Sequence, residues 1–289
     1  MMALFEKYEQ VDLADLPRFT VEALGIETSY YEVGRPLTPV VSTGSTTATG
    51  STNGLRQAQT SSILKTNGLR RGLRQAQATS QASLPPQKPT VLLLHGMTSS
   101  GDAYRELMIA LADEYHLIAP DIPGFGFSEM TTPYTLEHLV EWVAAFIDAL
   151  ELGQCLVVGH SFGGVLASHF TMAYPEDVVR LVLIAPALLS AQKVPDLVMK
   201  ATISLGLVSL GTTISQSRLV VPYQVKSAFY QPEKQPTTVW QRRIRDYDNA
   251  RATAVVFPAL ANGSIKNLSK ITHPTCLIWG EDDAVVPAA

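Results

Sequence analysis

Gly159-His160-Ser161-Phe162-Gly163 follows the apolar run Leu156-Val157-Val158 and leads into an amphipathic segment. A serine between two glycines, at the junction of a strand and a helix, forms the G-x-S-x-G nucleophile elbow, whose hydroxyl is exposed for attack on an electron-poor carbon. The glycines have a steric task. Strand and helix cross closely beside the apex, so a side chain at 159 or 163 would collide. The apex is expected to hold a strained backbone that lifts the Ser161 hydroxyl clear of the sheet edge. A serine hydroxyl is a poor nucleophile until a base takes its proton, so an elbow also needs a base and a group to orient it.

Such a serine has to be carried by regular elements, and the flanking chain supplies them. Val91-Leu92-Leu93-Leu94-His95 is a short continuous apolar run, as expected of a strand covered on both faces. A helix fits Ala103 to Glu114, with Leu107, Ala110 and Leu111 on one face. Leu117 to Ala119 reads as a strand, and Pro120 to Ser128 reads as a loop by its Pro and Gly content. Thr135 opens an amphipathic helix to about Leu150, with Leu139, Val143, Phe146 and Ile147 on one face and Gly153 as its stop. The elbow strand comes next, then a helix from about Phe162 to Tyr174 ended by Pro175, then the strand Leu181 to Ala185. Thr275 to Trp279 forms a last strand.

This alternation predicts an α/β fold: a mostly parallel sheet with helices on both faces. Chemistry in such sheets sits at the carboxyl ends of strands, where His95-Gly96, Asp121 and Ser161 fall.

Five stretches follow from the pattern. Residues 1–34 hold N-terminal strands of the main domain, with Thr28 to Val33 rich in strand formers and closed by Gly34. Residues 35–88 change composition to Ser, Thr, Gln, Gly and Ala with scattered Arg, and Thr52-Asn53-Gly54-Leu55-Arg56 recurs at Thr66 to Arg70. This stretch has too little apolar surface to offset its ordering entropy, and its repeats are too short for a solenoid. A disordered insertion in a surface loop is expected there. Residues 89–185 form the core. Residues 186–268 break the rhythm with helical pieces at 194–207, 225–230 and 239–253, which predicts a helical cap over the strand ends. Residues 269–289 add the last strand and the loop Gly280 to Pro287.

Bulk properties narrow the function classes. Net charge is −4, which argues against general nucleic-acid binding. The N-terminus lacks a basic start followed by an apolar run, and no uncharged apolar run reaches spanning length, so a soluble cytoplasmic protein without a membrane partner is expected. Cys155 and Cys276 both stand at the start of expected inner strands and read as buried thiols. No metal or organic cofactor is implied, and the expected partner is a small-molecule substrate.

Taken together, Leu92 to Gly96, Pro120 to Ser128, Gly159 to Gly164 and Ile278 to Pro287 make the chain from Pro89 onward resemble the α/β-hydrolase superfamily, in its cap-bearing serine hydrolase branch. The resemblance implies that Ser161 is the nucleophile. It implies that the backbone N–H groups of Met97 and Phe162 form the oxyanion hole, and that Asp283, fourth in a G-x-x-D pattern, is the acid. Asp282 is the neighbour that a one-residue error would select. The family's histidine lies after the acid, and no histidine follows Asp283 among His95, His116, His138, His160, His169 and His273.

His95 is expected to order the oxyanion loop, His160 to point away from Ser161, His169 to lie two turns along the following helix, and His116 and His138 to be boundary or surface residues. His273 should lie at the opposite edge of the sheet. The chain thus resembles such an enzyme truncated before its histidine, with its last strand and helix missing. The expected function is hydrolysis of an ester or related acyl or C–C bond, impaired by the missing base. The alternatives are an inactive remnant and a small-ligand binding protein. The serine argues against the dehalogenase and epoxide hydrolase relatives, which carry Asp at the elbow. The same reading predicts that Thr275 to Trp279 is an exposed sheet edge.

Overall fold

The computed structural model describes residues 16–35, 88–187, 220–227, 229–256, 268–283 and 285–286. Residues 36–88 form a separate unit of which only Lys88 is described, so the expectation of a disordered insertion lies outside the described residues, as does the helical piece at 194–207.

Seven strands form one sheet: β1 (Arg18–Ala23), β2 (Ile26–Val33), β3 (Thr90–Leu94), β4 (His116–Pro120), β5 (Cys155–His160), β6 (Val178–Ile184) and β7 (Thr275–Ile278). Their order is β1-β2-β4-β3-β5-β6-β7. β1 and β2 pair antiparallel, β2 is antiparallel to β4, and every pair from β4 to β7 is parallel. The mostly parallel α/β sheet expected from the sequence is therefore present. β1 is an element the pattern did not single out, because Arg18-Phe19-Thr20-Val21-Glu22 is mostly exposed and carries only a weak apolar alternation.

The helices are α1 (Arg105–Leu111), α2 (Leu136–Ala149), α3 (Phe162–Ala173), α4 (Val221–Ser227) and α5 (Thr237–Asp248). Side chains alternate across a strand, and β3 shows what that does here. Leu92 and Leu94 enter a core with Trp142, Phe146, Val165 and Phe170 of α2 and α3. Val91 and Leu93 enter a second core with Tyr104 and Met108, at the start of and within α1. Helices thus cover both faces, and β3 is apolar from Val91 to Leu94 because neither face meets water there.

α2 begins as the sequence implied. Thr135 caps it by accepting the backbone N–H of His138 at 3.2 Å, and Leu139, Val143, Phe146 and Ile147 are all buried.

Three expectations need correction. The helix expected over Ala103 to Glu114 is a 3-10 turn, Gly101–Tyr104, followed by the short α1. Its buried residues are Arg105 and Met108, while Leu107 is exposed. The buried face was mis-set because Arg105 is paired in the interior with Asp102, which apolar periodicity cannot register. Cys155 is buried, but Cys276 is exposed, because β7 is an outer strand whose four residues are all exposed. That same exposure agrees with the expected open edge at 275–279. His116 is not a surface residue: it is 7% exposed, and its Nε2 lies 2.7 Å from Glu32 Oε1.

Beyond β6 the described residues hold helices and no strand until β7. The pieces expected at 225–230 and 239–253 correspond to α4, which begins earlier, and α5, which ends earlier. Among the described residues no helix is long and apolar enough to cross a membrane.

Candidate active site

Ser161 stands between the end of β5 and the start of α3, with φ 51° and ψ −115°. A non-glycine residue rarely adopts this backbone region, and such geometry clusters at functional sites. Neighbours hold it there. Ser161 N–H donates to Ile184 O at 3.0 Å, and its carbonyl accepts from Gly164 at 3.0 Å and Ala187 at 3.1 Å. The flanking glycines are needed for the reason expected. A Cβ on Gly159 would lie 2.7 Å from Gly164 Cα, and one on Gly163 would overlap the Leu94 carbonyl oxygen.

Met97 and Phe162 are the expected oxyanion donors. Phe162 is the first residue of α3, so its amide has no intrahelical acceptor. Met97 lies on the loop after β3, next to Gly96. A Cβ on Gly96 would lie 3.2 Å from Ser161 Cβ and 3.0 Å from His160 Nδ1, so this loop is pressed against the elbow. Among the described residues neither amide donates to another group.

His95 orders the loop, as its position suggested. Its Nε2 accepts the N–H of Ile122 at 2.9 Å, which leaves Nδ1–H to donate to Gly96 O at 2.7 Å. Both ring nitrogens are thereby used, and burial pulls its pKa down to about 3, so the ring is neutral.

Asp121, at the carboxyl end of β4, joins two loops. It accepts from Gly101 N–H at 2.7 Å and Phe127 N–H at 2.9 Å. Burial pushes its carboxyl up to about 6, against the pull of those two amides.

Asp283 follows β7 in a turn. Its Oδ1 accepts the N–H groups of Val285 and Val286, each at 2.9 Å. It is partly buried, whereas Asp282 is exposed. His160 senses it. The packing around His160, and then Arg243, lower its pKa, while Asp283 pulls in the other direction, although the residue as a whole is exposed.

The remaining histidines are engaged elsewhere or lie off the elbow. His138 Nε2 is 2.7 Å from Thr131 Oγ1, and His273 Nε2–H donates to Pro175 O at 2.9 Å, far from the carboxyl ends. His169 lies within α3. Among the described residues none hydrogen-bonds to Ser161 Oγ.

One cluster escaped the sequence reasoning. Ser100 Oγ donates to Asp246 Oδ1 at 2.7 Å, Arg243 donates to Ser99 Oγ at 2.8 Å, and Arg245 donates to Asp102 Oδ2 at 2.7 Å. Its signal was Arg242-Arg243-Ile244-Arg245-Asp246, which on its own reads as a solvated helix face.

The alpha/beta hydrolase fold model matches residues 89–289 of the chain. The chain belongs to the α/β-hydrolase fold family. The uncharacterized hydrolase YugF of Bacillus subtilis is 26% identical over 217 residues, which span 70% of this α/β-hydrolase chain and 76% of that protein. Lipase LipV of Mycobacterium tuberculosis is 40% identical over 103 residues, but those cover only 36% of this chain and 39% of the lipase. A hydrolase structure from Pseudomonas aeruginosa PA01 superimposes with a TM-score of 0.64 at 19% identity, over 95% of this chain and 84% of that one, a likeness of fold alone. Family membership and the fold together support hydrolase function.

Proposed function

We propose that this α/β hydrolase is a serine hydrolase acting on a small-molecule ester or related acyl or C–C bond, with Ser161 as nucleophile. The observation that carries the reading is the strained backbone of Ser161 at φ 51°, pressed by the Gly96 loop. Ser161 Oγ attacks the carbonyl carbon and gives up its proton to a base. The carbonyl oxygen becomes an oxyanion that receives the Met97 and Phe162 N–H groups. Collapse expels the leaving group and leaves an acyl-enzyme, which water then cleaves. Asp283 is the acid of the triad. Its partly buried carboxylate, with Oδ1 fixed by two amides, supports that role over exposed Asp282.

The base is the missing part of this reading: the ring nitrogens of His95, His116, His138 and His273 have other partners, His169 lies along α3, and His160, although in the elbow, makes no hydrogen bond to Ser161 Oγ among the described residues. We infer that these residues, without a base hydrogen-bonded to Ser161, turn over slowly. Oxyanion stabilisation and binding leave a residual rate above water, as they do when triad members are deleted in serine proteases. The test is fluorophosphonate labelling together with p-nitrophenyl ester turnover, using Ser161→Ala as control. Label and turnover lost in Ser161→Ala support a working nucleophile. Equal background from both proteins overturns the reading. The engaged histidines also favour a second reading, a body that retains a small apolar ligand without turnover. It requires a ligand that raises thermal stability and is recovered unchanged.

A further inference from the structure

The loop that carries Met97 has little backbone support of its own. Thr98 sits at φ 55°, and Ser100 O accepts from Ala103 N–H at 3.1 Å. His95 holds its start at Gly96 O and Asp121 its end at the Gly101 N–H; between them the loop is gripped at its serine pair, and that grip comes from α5. Asp246 Oδ1 takes the Ser100 hydroxyl at 2.7 Å. Arg243 Nη1 bridges Ser99 Oγ at 2.8 Å and Asp246 Oδ2 at 3.3 Å. Two residues on, in the 3-10 turn, Asp102 is held by Arg105 Nε at 2.7 Å and by Arg245 of α5 at 2.7 Å.

The serines and carboxylates are interior, whereas the Arg243 and Arg245 side chains are partly exposed. Ser99 is 4% exposed, Ser100 2%, Asp102 2% and Asp246 3%. Buried ion pairs add little stability over apolar residues of the same volume, because desolvation offsets the attraction. What such a network does supply is a fixed position, since each donor and acceptor has one partner geometry.

We propose that Asp246, together with Arg243, is a positioning residue for the oxyanion loop. From α5 it holds Ser99 and Ser100, and through them it sets the Met97 amide beside Ser161. The consequence is that α5, a helix remote in sequence from the elbow, governs whether the second oxyanion donor is in place. The idea rests on the proposed role of Met97, but the loop's dependence on α5 can be measured without it.

The experiment compares amide hydrogen exchange of residues 96–101 and fluorophosphonate labelling of Ser161 in the full chain and its variants. Asp246→Ala is expected to speed exchange of 96–101 at least about ten-fold and to slow the labelling step itself, with reagent affinity kept and exchange in β5 unchanged. Asp246→Asn, which keeps an acceptor for Ser100, should fall nearer the wild type. Gln241→Ala, on the exposed side of α5, should match it.

If Asp246→Ala fails to fold, Ser100→Ala removes the loop-side partner and should give the same pattern at smaller size. Unchanged exchange in 96–101, or equal loosening of β5, overturns the proposal. A wild type that never labels overturns the serine hydrolase reading and leaves the exchange result to decide the coupling.

Discussion

Gly96 and Ser161 stand so close that a methyl group on Gly96 would lie 3.2 Å from Ser161 Cβ. The contact sets the distance between the loop of Met97 and the elbow. Gly96→Ala must push the loop outward by a few tenths of an ångström. Losing one oxyanion donor costs about 100- to 1,000-fold in rate, so a displaced donor should cost about 10-fold or more. Labelling rates of Ser161 in the two proteins check this, and equal rates would show that the loop yields without consequence.

The elbow backbone is strained, and glycine tolerates it better than any other residue. Ser161→Gly should abolish labelling yet raise stability over Ser161→Ala by about 1 kcal/mol, because both remove the hydroxyl and only glycine relieves φ 51°. Denaturant midpoints of the two variants measure the difference. A less stable glycine variant would argue that the geometry costs nothing.

Close crossing of β5, β3 and α3 leaves no room at Gly163. Gly163→Ala would drive a methyl into the Leu94 carbonyl oxygen, which is backbone and cannot swing away. Destabilisation of about 3 kcal/mol or loss of folding is expected. Urea unfolding or soluble yield reads it, and a near-native midpoint would contradict the packing described.

His95 makes a prediction about pH. Its folded pKa is depressed from 6.5 to about 3 by burial, so the unfolded chain binds the proton first as pH falls. Stability from this group is full above pH 6.5 and is lost progressively between 6.5 and 3, at up to about 1.4 kcal/mol per pH unit. Asp121 and Asp246, both raised to about 6 by burial, slope the other way between their ordinary range and 6. The difference between the wild type and His95→Gln isolates the histidine. That difference should shrink as pH falls from 6.5 to 4, and a pH-independent difference would rule out the buried neutral ring.

β7 presents Leu277 at 63% and Ile278 at 48% exposure on an outer strand. An apolar edge of this kind pairs with other chains. Concentration-dependent association is expected by light scattering, and Leu277→Lys should reduce it. A wild type that stays monomeric and melts cooperatively at high temperature would show the edge to be harmless.

The strand–turn–helix at Ser161 was legible because its causes are local: an apolar β run, two glycines where nothing larger fits, and a helix opened by Phe162. The order of elements was legible for the same reason, since periodicity reports which face of a segment is buried. The buried face of the helix expected over Ala103 to Glu114 was mis-set because Arg105 and Asp102, a pair that neutralises itself in the interior, look residue by residue like surface. His116 was misread likewise, since its partner Glu32 lies 84 positions earlier.

The sequence by itself determined the mostly parallel sheet and the glycine-flanked turn at Ser161, because these depend on backbone sterics and apolar spacing within a few residues. Only the tertiary structure decided that Gly96 presses on Ser161, that both nitrogens of His95 are occupied, and that Asp246 reaches Ser100. Each of those depends on a distance between segments far apart in the chain, and that distance exists only once the sheet and its helices have packed.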